Sequence, residues 1–339
     1  MNNHYLSYDD VLLVPQYSDI RSRSEIDIST DLGHGLELQL PIISSPMDTI
    51  SEAQMANAIG GIGGTAVIHR YNSIEKQTQM VSAVNQPCVV GAAVGIGGDY
   101  LERASALVSS GANFLCVDVA HGHHIMMQEA LGELRKLFGD DYHLMAGNVA
   151  TLQGINDLSD WGASSVRCNI GGGSICSTRI QTGHGMPGLQ TIIECAKTDR
   201  DVKIIADGGI KNSGDMVKAL AAGADAVMVG SLLAATTETP GAVTMDIEGV
   251  GWKTYRGMAS KEAQIEWRGK YSSYEGVTTT LRHRGSVLPV LEDLERGIRS
   301  GFSYSGARNI VEFHSSAEFI RQTASGLHES RAHINSRKL

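Results

Sequence analysis

Short apolar runs rich in β-branched residues recur along the chain and alternate with longer segments in which apolar residues repeat at helical spacing. Four of the longer segments read SIEKQTQMVSAV, YLERASALVSSG, TLQGINDLSDWG and NSGDMVKALAAG. This alternation is typical of βα units with parallel strands. The eight predicted strands begin near Ile42, Thr65, Val89, Phe114, His143, Ser165, Lys203 and Ala226.

Several predicted helices end on a glycine just before the next strand, as in SSGANFL, DWGASSV and AAGADAV, which is the pattern of a left-handed helix cap. Eight consecutive units favour the α/β class and a closed (β/α)8 TIM barrel over an open doubly wound sheet. We therefore predict a single catalytic domain over residues 1–339. In this fold the segments after the strands form the active face, and here they read SSPMD, IHR, GAAVG, DVAHGHH, GNVAT, NIGGGSICSTR, ADGGI and GSLLA.

The segment after the last predicted strand is polar, contains several glycines and has only weak periodicity. We interpret residues 252–285 as a mobile flap over the active face. The alternative is an ordinary surface excursion between the last barrel strand and its helix. The polar C-terminal tail, residues 325–339, is predicted to be partly disordered.

Composition narrows the class of protein. Of the 339 residues, 42% are hydrophobic and 19% are charged, which supports a folded core. The formal net charge of −9 argues against a nucleic-acid partner, because phosphate backbones are bound by clustered Lys and Arg. Five scattered cysteines indicate reduced thiols in a cytoplasmic compartment. No run of about 18 apolar residues or signal-peptide pattern suggests membrane insertion or export.

Glycines after the seventh and eighth strands predict a phosphate site. Backbone N–H groups approach oxyanions closely where no Cβ intervenes, so Gly208, Gly209 and Gly230, with the hydroxyl of Ser231, form a plausible cradle for a phosphate ester. Asp207 would repel a phosphate, and we expect it to accept hydrogen bonds from ribose hydroxyls. The alternative for Asp207 is a helix cap.

The sixth strand leads into NIGGGSICSTR, which carries the candidate nucleophile. Cys176 follows a Gly/Ser-rich curve close to Arg179, a setting that favours a thiolate able to attack an electrophilic carbon. The alternative, an inert buried thiol, fits Cys116, Cys168 and Cys195 better. The carbonyls of Gly171, Gly173 and Cys176 form a candidate site for a monovalent cation.

The segment DVAHGHH places Asp118 and three histidines, His121, His123 and His124, at one strand end. A metal site is the tempting interpretation, but no second ligand cluster accompanies it in the sequence. Hydrogen bonding to a cofactor is the interpretation that we favour.

Taken together, SSPMDT, CVDVAHGH, AGNV, GGGSICSTRIQTG, ADGGI, VGSLLA and YRGM resemble the IMP dehydrogenase and GMP reductase family, over nearly the whole chain. The resemblance implies a purine-nucleotide enzyme, usually a homotetramer, in which Cys176 bonds covalently to purine C2. The positions that it implies for the nucleotide are Ser45, Asn148, Ser174, Asp207, Gly208, Gly209, Gly230, Ser231, Tyr255, Gly257, Met258 and Gly276.

The family catalyses two reactions. The dehydrogenase oxidises IMP with NAD and uses an adjacent Arg-Tyr pair on a long flap to activate water. The reductase removes ammonia from GMP and reduces C2 with NADPH, and the resemblance assigns its proton handling to Thr178 and Glu275. We favour the reductase because the chain lacks the CBS modules usual in the dehydrogenase, because its flap is short without an Arg-Tyr pair, and because Glu275-Gly276, IECA and FIRQT match reductase segments.

The expected cofactor is NADPH, with K+ as a possible cation. The resemblance implies cofactor contacts at Asp118, Val119, Ala120, Gly171 and Arg70, and at Ser22, Arg23 and residues 304–306 of a neighbouring subunit.

Other features depart from the reductase pattern. AHGH and YRGM are closer to the dehydrogenase, Asn169 and Gly172 stand where Gly and Pro are usual, Ser177 replaces Thr, and His184 replaces Val. Arg70 replaces the usual Lys, and an arginine does not readily release a proton. IMP dehydrogenase therefore stays open as the alternative activity, and a catalytically silent nucleotide-binding protein as a third hypothesis.

Overall fold

Eight parallel strands close into a barrel in the computed structural model, which describes residues 5–330. The order around the barrel is β4 to β11, and β11 pairs with β4 to close it. Each barrel strand begins within one residue of its predicted start, which confirms the predicted (β/α)8 barrel. The described strands are β1 Val11–Leu13, β2 Thr30–Asp31, β3 Glu37–Leu38, β4 Ile42–Ser44, β5 Thr65–Ile68, β6 Val90–Val94, β7 Phe114–Asp118, β8 Leu144–Val149, β9 Ser165–Cys168, β10 Lys203–Asp207, β11 Ala226–Val229, β12 Thr244–Met245, β13 Gly251–Arg256, β14 Thr278–Arg282 and β15 Phe319–Arg321.

Amphipathic helices cover the outside of the barrel. Gly111, Gly162 and Gly223 follow α3, α5 and α8 with φ of 101°, 108° and 109°, so the predicted glycine caps are left-handed turns. The described helices are α1 Ala53–Gly60, α2 Ile74–Ser82, α3 Tyr100–Ser109, α4 Ile125–Phe138, α5 Leu152–Asp160, α6 Thr178–Thr182, α7 Gly188–Cys195, α8 Ser213–Ala221, α9 Lys261–Arg268, α10 Leu288–Tyr304, α11 Ile310–Ser316 and α12 Ala324–Glu329. None of these described helices is long and apolar enough to cross a membrane.

Apolar side chains fill the half of the barrel interior that lies toward the amino ends of the strands. Phe114, Met145 and Met228 pack inside it with Leu36 and Leu38 from the β2–β3 hairpin, which closes the barrel at the amino ends of the strands. Among the described residues, the space for a ligand inside the barrel is therefore at the carboxyl ends of the strands, where the lining side chains become polar.

A buried histidine at the closed end makes stability depend on pH. His143 Nε2 lies 2.8 Å from Ser165 Oγ, and burial lowers the pKa of His143 to about 4. The folded protein keeps this ring neutral, whereas the unfolded chain takes up a proton below pH of about 6.5. The contribution of His143 to the free energy of unfolding is therefore fully present above that pH. It falls by about 3 kcal/mol as the pH is lowered toward 4.

We therefore expect urea unfolding at falling pH to show a loss of stability that His143→Gln reduces, because glutamine keeps a polar group there without titrating. Equal pH slopes for the two proteins between about pH 6.5 and 4.5 would contradict this assignment.

The segment predicted as a flap forms an antiparallel strand pair outside the barrel sheet. β13 and β14 pair antiparallel from Trp252 with Arg282 to Arg256 with Thr278, and α9 is inserted between them. The sequence pattern did not predict α9. Its start is fixed by Ser260, whose side chain accepts a hydrogen bond from the Ala263 N–H.

The structure describes the C-terminal tail, which was predicted to be partly disordered, only as far as Ser330. Residues 324–329 form α12, capped by Thr323, where the sequence pattern predicts disorder. The remainder of that tail, residues 331–339, lies outside the described residues.

Candidate active site

A cavity of about 350 Å³ opens at the carboxyl ends of the barrel strands, between them and the flap. All predicted catalytic, nucleotide and cation residues line it. Among the predicted cofactor residues, Asp118, Val119, Ala120, Gly171 and Arg70 line it, and Ser22 and Arg23 do not. The lining residues that the sequence predicted are Ser45, Arg70, Asp118, Val119, Ala120, Asn148, Gly171, Gly173, Ser174, Cys176, Thr178, Asp207, Gly208, Gly209, Gly230, Ser231, Tyr255, Gly257, Met258, Glu275 and Gly276.

Backbone hydrogen bonds hold the cysteine loop against the flap. The Ser177 N–H donates to the Glu275 carbonyl at 2.9 Å, and the Val277 N–H donates to the Ile175 carbonyl at 3.0 Å. Cys176 therefore lies opposite Gly276, where the backbone segments approach closely: a Cβ on Gly276 would lie 3.1 Å from Ser260 N. The pairing places a flap residue beside the candidate nucleophile.

A chain of side-chain hydrogen bonds runs from the thiol to a carboxylate. The Cys176 thiol donates to Thr178 Oγ1 at 3.1 Å, and the Thr178 hydroxyl donates to Glu275 Oε2 at 2.7 Å. Such a relay can carry the thiol proton to Glu275 and return a proton later, so the site can generate a nucleophile and protonate a leaving group.

Glycines and hydroxyl groups form part of the cavity wall. Gly208 and Gly209 have φ of 93° and 78°, a conformation that side chains disfavour, and a Cβ on Gly230 would lie 3.0 Å from Met47 S. The buried Tyr255 hydroxyl lies 3.4 Å from Ser174 Oγ. Burial raises the pKa of Tyr255, so it stays a neutral hydrogen-bond donor. This wall offers N–H and O–H donors suited to an anion.

Arg167, which the sequence analysis missed, connects two carboxylates in the cavity. Its Nη1 donates to Asp118 Oδ1 at 2.5 Å and its Nη2 donates to Asp207 Oδ2 at 2.8 Å. Burial alone disfavours the charge of Arg167, but Asp207 and Asp118 outweigh it and hold the pKa well above its usual value. The sequence signal that could have pointed to Arg167 was a charged residue within the short predicted strand SVRC.

Asp207 keeps one oxygen free for a ligand. Asn148 Nδ2 also donates to Asp207 Oδ2, at 2.9 Å, and no described residue donates to Oδ1. Asn212 caps α8, so the helix-cap interpretation of Asp207 is wrong. The free oxygen suits the predicted contact with a hydroxyl pair.

Removing the Arg167 charge is expected to destabilise the fold. Arg167→Met leaves Asp118 and Asp207 buried without their shared cation, and we expect a loss of about 3–5 kcal/mol in the free energy of unfolding by urea. The control Arg200→Met removes surface ion pairs with Asp160 and Asp199 and should change it by at most about 1 kcal/mol. Equal losses in the two variants would contradict the importance of the buried triad.

Arg70 lies between Asp118 and the flap. Its Nη2 donates to the Asp118 carbonyl at 3.2 Å, and its guanidinium carbon lies 5.5 Å and 5.8 Å from the ring centres of Tyr71 and Trp267. The Tyr71 and Trp267 rings stack at 4.2 Å. Arg70 is therefore placed to hold α9 against the barrel rather than to relay a proton.

Asn169 and Gly172, two of the departures in the cysteine loop, lie in direct contact. Asn169 Nδ2 donates to the Gly208 carbonyl at 3.1 Å, which ties the loop to the end of β10. A Cβ on Gly172 would lie 2.2 Å from that nitrogen, so a side chain at residue 172 would require Asn169 to move and to give up this hydrogen bond.

This fit predicts a coupled pair of substitutions. Gly172→Ala should weaken binding of the expected purine nucleotide by about 5- to 140-fold, as overpacking costs about 1–3 kcal/mol. Combining it with Asn169→Gly should restore most of the affinity. Calorimetric titration of both single variants and the double variant measures the coupling, and independent effects would contradict it.

The histidines after β7 have partners within the fold. His123 Nε2 lies 2.7 Å from Asp157 Oδ2, and His124 Nδ1 accepts the Met126 N–H at the start of α4. Burial, followed by the nearby histidines, lowers the pKa of His121. No group of three potential metal ligands occurs within residues 5–330. His123 and His124 thus have partners within the protein, and neither lines the cavity. Hydrogen bonding of this segment to a cofactor stays a prediction.

The remaining cysteines differ from Cys176. Cys116, Cys168 and Cys195 are buried, and burial raises the pKa of Cys116 to about 12. These three thiols fit the predicted inert role.

Comparison with known proteins identifies similar sequences and structures. Residues 5–333 match the model of the IMP dehydrogenase / GMP reductase domain. An inosine-5′-monophosphate dehydrogenase from Nitrosopumilus maritimus is 32% identical over 467 residues, covering 97% of this chain and 98% of the relative. A GMP reductase from Leishmania major is 29% identical over 475 residues, covering 97% and 96%.

A solved structure is similar throughout. The crystal structure of a cysteine-to-alanine variant of GMP reductase from Trypanosoma brucei, in complex with guanosine 5′-monophosphate, superposes with a TM-score of 0.93 at 29% identity and covers 98% of each chain.

The missing CBS modules do not distinguish a reductase from a dehydrogenase. Both alignments are longer than this chain of 339 residues, so the dehydrogenase and the reductase each carry additional residues within the aligned region. A missing insertion therefore does not separate the two reactions, and the choice between them depends on the site.

Proposed function

Because the chain belongs to the IMP dehydrogenase / GMP reductase family of oxidoreductases, we propose that it catalyses the NADPH-dependent reductive deamination of GMP to IMP and ammonia. The observation that carries the proposal is the continuous hydrogen-bonded chain from the Cys176 thiol through Thr178 to Glu275. This chain supplies both a nucleophile and a proton source for an amine leaving group.

In the first step the Cys176 thiolate bonds to C2 of the purine, and the bond from C2 to its exocyclic nitrogen breaks. The nitrogen needs protons to leave as ammonia, and Glu275 delivers them through the Thr178 hydroxyl. A covalent thioimidate joins Cys176 to the purine. Asp207 and the glycine wall hold the ribose and phosphate, so that C2 stays beside the sulfur.

For the second step, NADPH bound in the cavity would supply the hydride for C2. The C2–S bond then breaks, and Cys176 leaves as a thiolate while IMP forms. Overall, GMP, NADPH and two protons give IMP, NADP+ and ammonium. The small residues Val119, Ala120 and Gly171 line the cavity together with the Arg70 cation, and these residues would fit the flat ring of this cofactor.

The flap supports the reductase over the dehydrogenase. Its nearest approach to an Arg-Tyr pair is Arg268 and Tyr271, and neither lines the cavity. The Arg268 guanidinium carbon lies 4.8 Å from the ring centre of Trp267, and the Tyr271 ring lies beside Lys261. Among the described flap residues, the pair that would activate water is therefore not in reach of the nucleophile.

IMP dehydrogenase is the second candidate function. It is supported by the Tyr255-Arg256-Gly257-Met258 segment, whose Tyr255, Gly257 and Met258 line the cavity, and by dehydrogenases among the relatives. In that reaction C2 of IMP would lose a hydride to NAD, and water would then hydrolyse the same thioimidate.

The same family membership supports further proposals about assembly. We propose a cytoplasmic homotetramer in which Ser22 and Arg23 of the partner subunit reach the cofactor. K+ is the proposed monovalent cation, held by carbonyls of the cysteine loop. Of these, the Gly173 carbonyl accepts the Cys176 N–H at 3.1 Å and keeps a second lone pair for a ligand.

The activity is tested by the nicotinamide absorbance of purified protein in potassium buffer. GMP with NADPH should give loss of NADPH and an equal amount of ammonia, while IMP with NAD should give no change. NADH formation from IMP would instead establish the dehydrogenase. Nucleotide binding without turnover under either condition would identify a silent binding protein.

A further inference from the structure

Lys253, in the flap strand β13, is a buried lysine whose ammonium group binds backbone carbonyls. The residue is only 2% exposed. Its Nζ donates to the carbonyls of Thr236 at 3.1 Å, Thr237 at 3.4 Å and Thr239 at 2.5 Å, so all three N–H donors are used. Among the described residues, no carboxylate binds this ammonium group directly, although lysines are almost never fully buried unless they are paired.

The three carbonyls belong to the segment that begins at the predicted phosphate cradle. Gly230 lines the active-site cavity, and its carbonyl accepts the Leu233 N–H at 3.0 Å. The Thr236 hydroxyl donates to the Leu233 carbonyl at 2.8 Å. Hydrogen bonds therefore connect the cradle glycine to the carbonyls that Lys253 binds.

Lys253 also lies on the strand that carries Tyr255. The two residues are two positions apart, so their side chains project from the same face of β13, and both are buried. The Tyr255 hydroxyl lies 3.4 Å from Ser174 Oγ, and a Cβ on Gly230 would lie 3.4 Å from that hydroxyl. The Tyr255 hydroxyl is therefore beside the start of the segment whose end Lys253 binds.

In the described chain, β13 pairs with β12 and β14 and with no strand of the barrel. The position of β13 against the barrel therefore depends on contacts outside the barrel sheet. Arg256 makes such a contact at the carboxyl end of the strand, through Asp48 Oδ2 at 2.5 Å. Lys253 makes another on the amino side of Tyr255, so the tyrosine is held between two attachments.

We propose that Lys253 is a positioning residue for the phosphate group of the nucleotide. It holds β13 on residues 236–239 and thereby places the Tyr255 hydroxyl beside Gly230. Lys253 does not line the active-site cavity, so it acts through Tyr255 rather than by touching the ligand. The proposal rests on the nucleotide site of the proposed function and holds for either reaction at C2.

The informative variant is Lys253→Met, which keeps a long unbranched side chain and removes the three donors. Three buried carbonyls then lack their donor, which is unfavourable, so the segment and β13 are expected to shift apart. Calorimetric titration of the full-length protein should show GMP binding weakened about 10- to 100-fold. The KM for GMP should rise to a similar degree, while kcat stays within about threefold of the native value.

A double-mutant cycle with Tyr255→Phe tests whether Lys253 acts through the tyrosine. The double variant should bind GMP within about twofold of the weaker single variant, because both changes remove the same contact. Lys197→Met, which removes an exposed lysine paired with Glu194, is the control and should leave binding unchanged. Lys253→Gln, which keeps two donors, replaces Lys253→Met if that variant does not fold, and should weaken binding about fivefold or more.

Weaker GMP binding with preserved kcat and non-additive losses supports the positioning role. A lysine that only stabilises the fold would lower the free energy of unfolding and leave the GMP affinity of the folded protein unchanged, and that result overturns the proposal even if GMP is reduced. Additive losses, no loss in Tyr255→Phe, or an equal fall in kcat also overturn it. Non-additive losses of affinity in a protein that does not reduce GMP support the role of Lys253 and contradict the proposed reaction, whereas a native protein that binds neither GMP nor IMP contradicts both.

Discussion

Cys176→Ala is expected to bind GMP with near-native affinity and to lose turnover by at least about 10⁴-fold, because the thiolate is the atom that bonds to the purine. The loop geometry should survive, since it is held by backbone hydrogen bonds from Ser177 and Val277 to the neighbouring strand segments. Calorimetry gives the affinity, and NADPH oxidation with ammonia assay gives the turnover.

Cys88→Ala is the matched control. Cys88 is partly exposed, lies outside the cavity and should tolerate substitution without loss of activity. Turnover by Cys176→Ala within about tenfold of the native rate would rule out covalent catalysis, because a positioned nucleophile contributes far more than that.

Glu275→Gln is expected to lower kcat by about 10²- to 10⁴-fold, the usual contribution of a positioned acid or base. Glutamine can still accept the hydrogen bond from Thr178, so the relay keeps its geometry and loses its proton acceptor. The KM for GMP should change little, because Glu275 contacts the reacting centre through Thr178 rather than the ribose or phosphate.

Glu248→Gln makes the same change on the exposed turn before β13 and should leave kcat unaltered. Thr178→Val separates the relay from a direct role of Glu275. It should lower kcat to a similar degree, whereas native activity in Thr178→Val would show that Glu275 acts without the threonine.

Much of the fold follows from local patterns. The barrel strands are short apolar runs bounded by glycine or polar residues, and these boundaries are set by backbone conformation at positions such as Gly111 and Gly162. The site was also predictable, because in a closed barrel the segments after the strands must meet at one end. That rule brings Ser45, Cys176 and Asp207 together although they are far apart in sequence.

What the pattern missed depends on contacts between distant segments. The charge of Arg167 is compensated in the barrel by Asp118 and Asp207 from two other strands. The helix α9 has few apolar residues and is held by the stacking of Trp267 on Tyr71. The close approach of Asn169 to residue 172 likewise becomes visible only once the loop is folded.

The most direct test of the central claim follows the hydrogen that reaches C2. The protein is incubated with GMP and with NADPH deuterated at both C4 positions, and the nucleotide product is analysed by NMR and mass spectrometry. The account predicts IMP that carries deuterium at C2, with one ammonia released for each NADPH oxidised. IMP without deuterium would contradict the account. Recovery of unchanged GMP, while IMP and NAD yield xanthosine 5′-monophosphate as in the dehydrogenase reaction, would also contradict it.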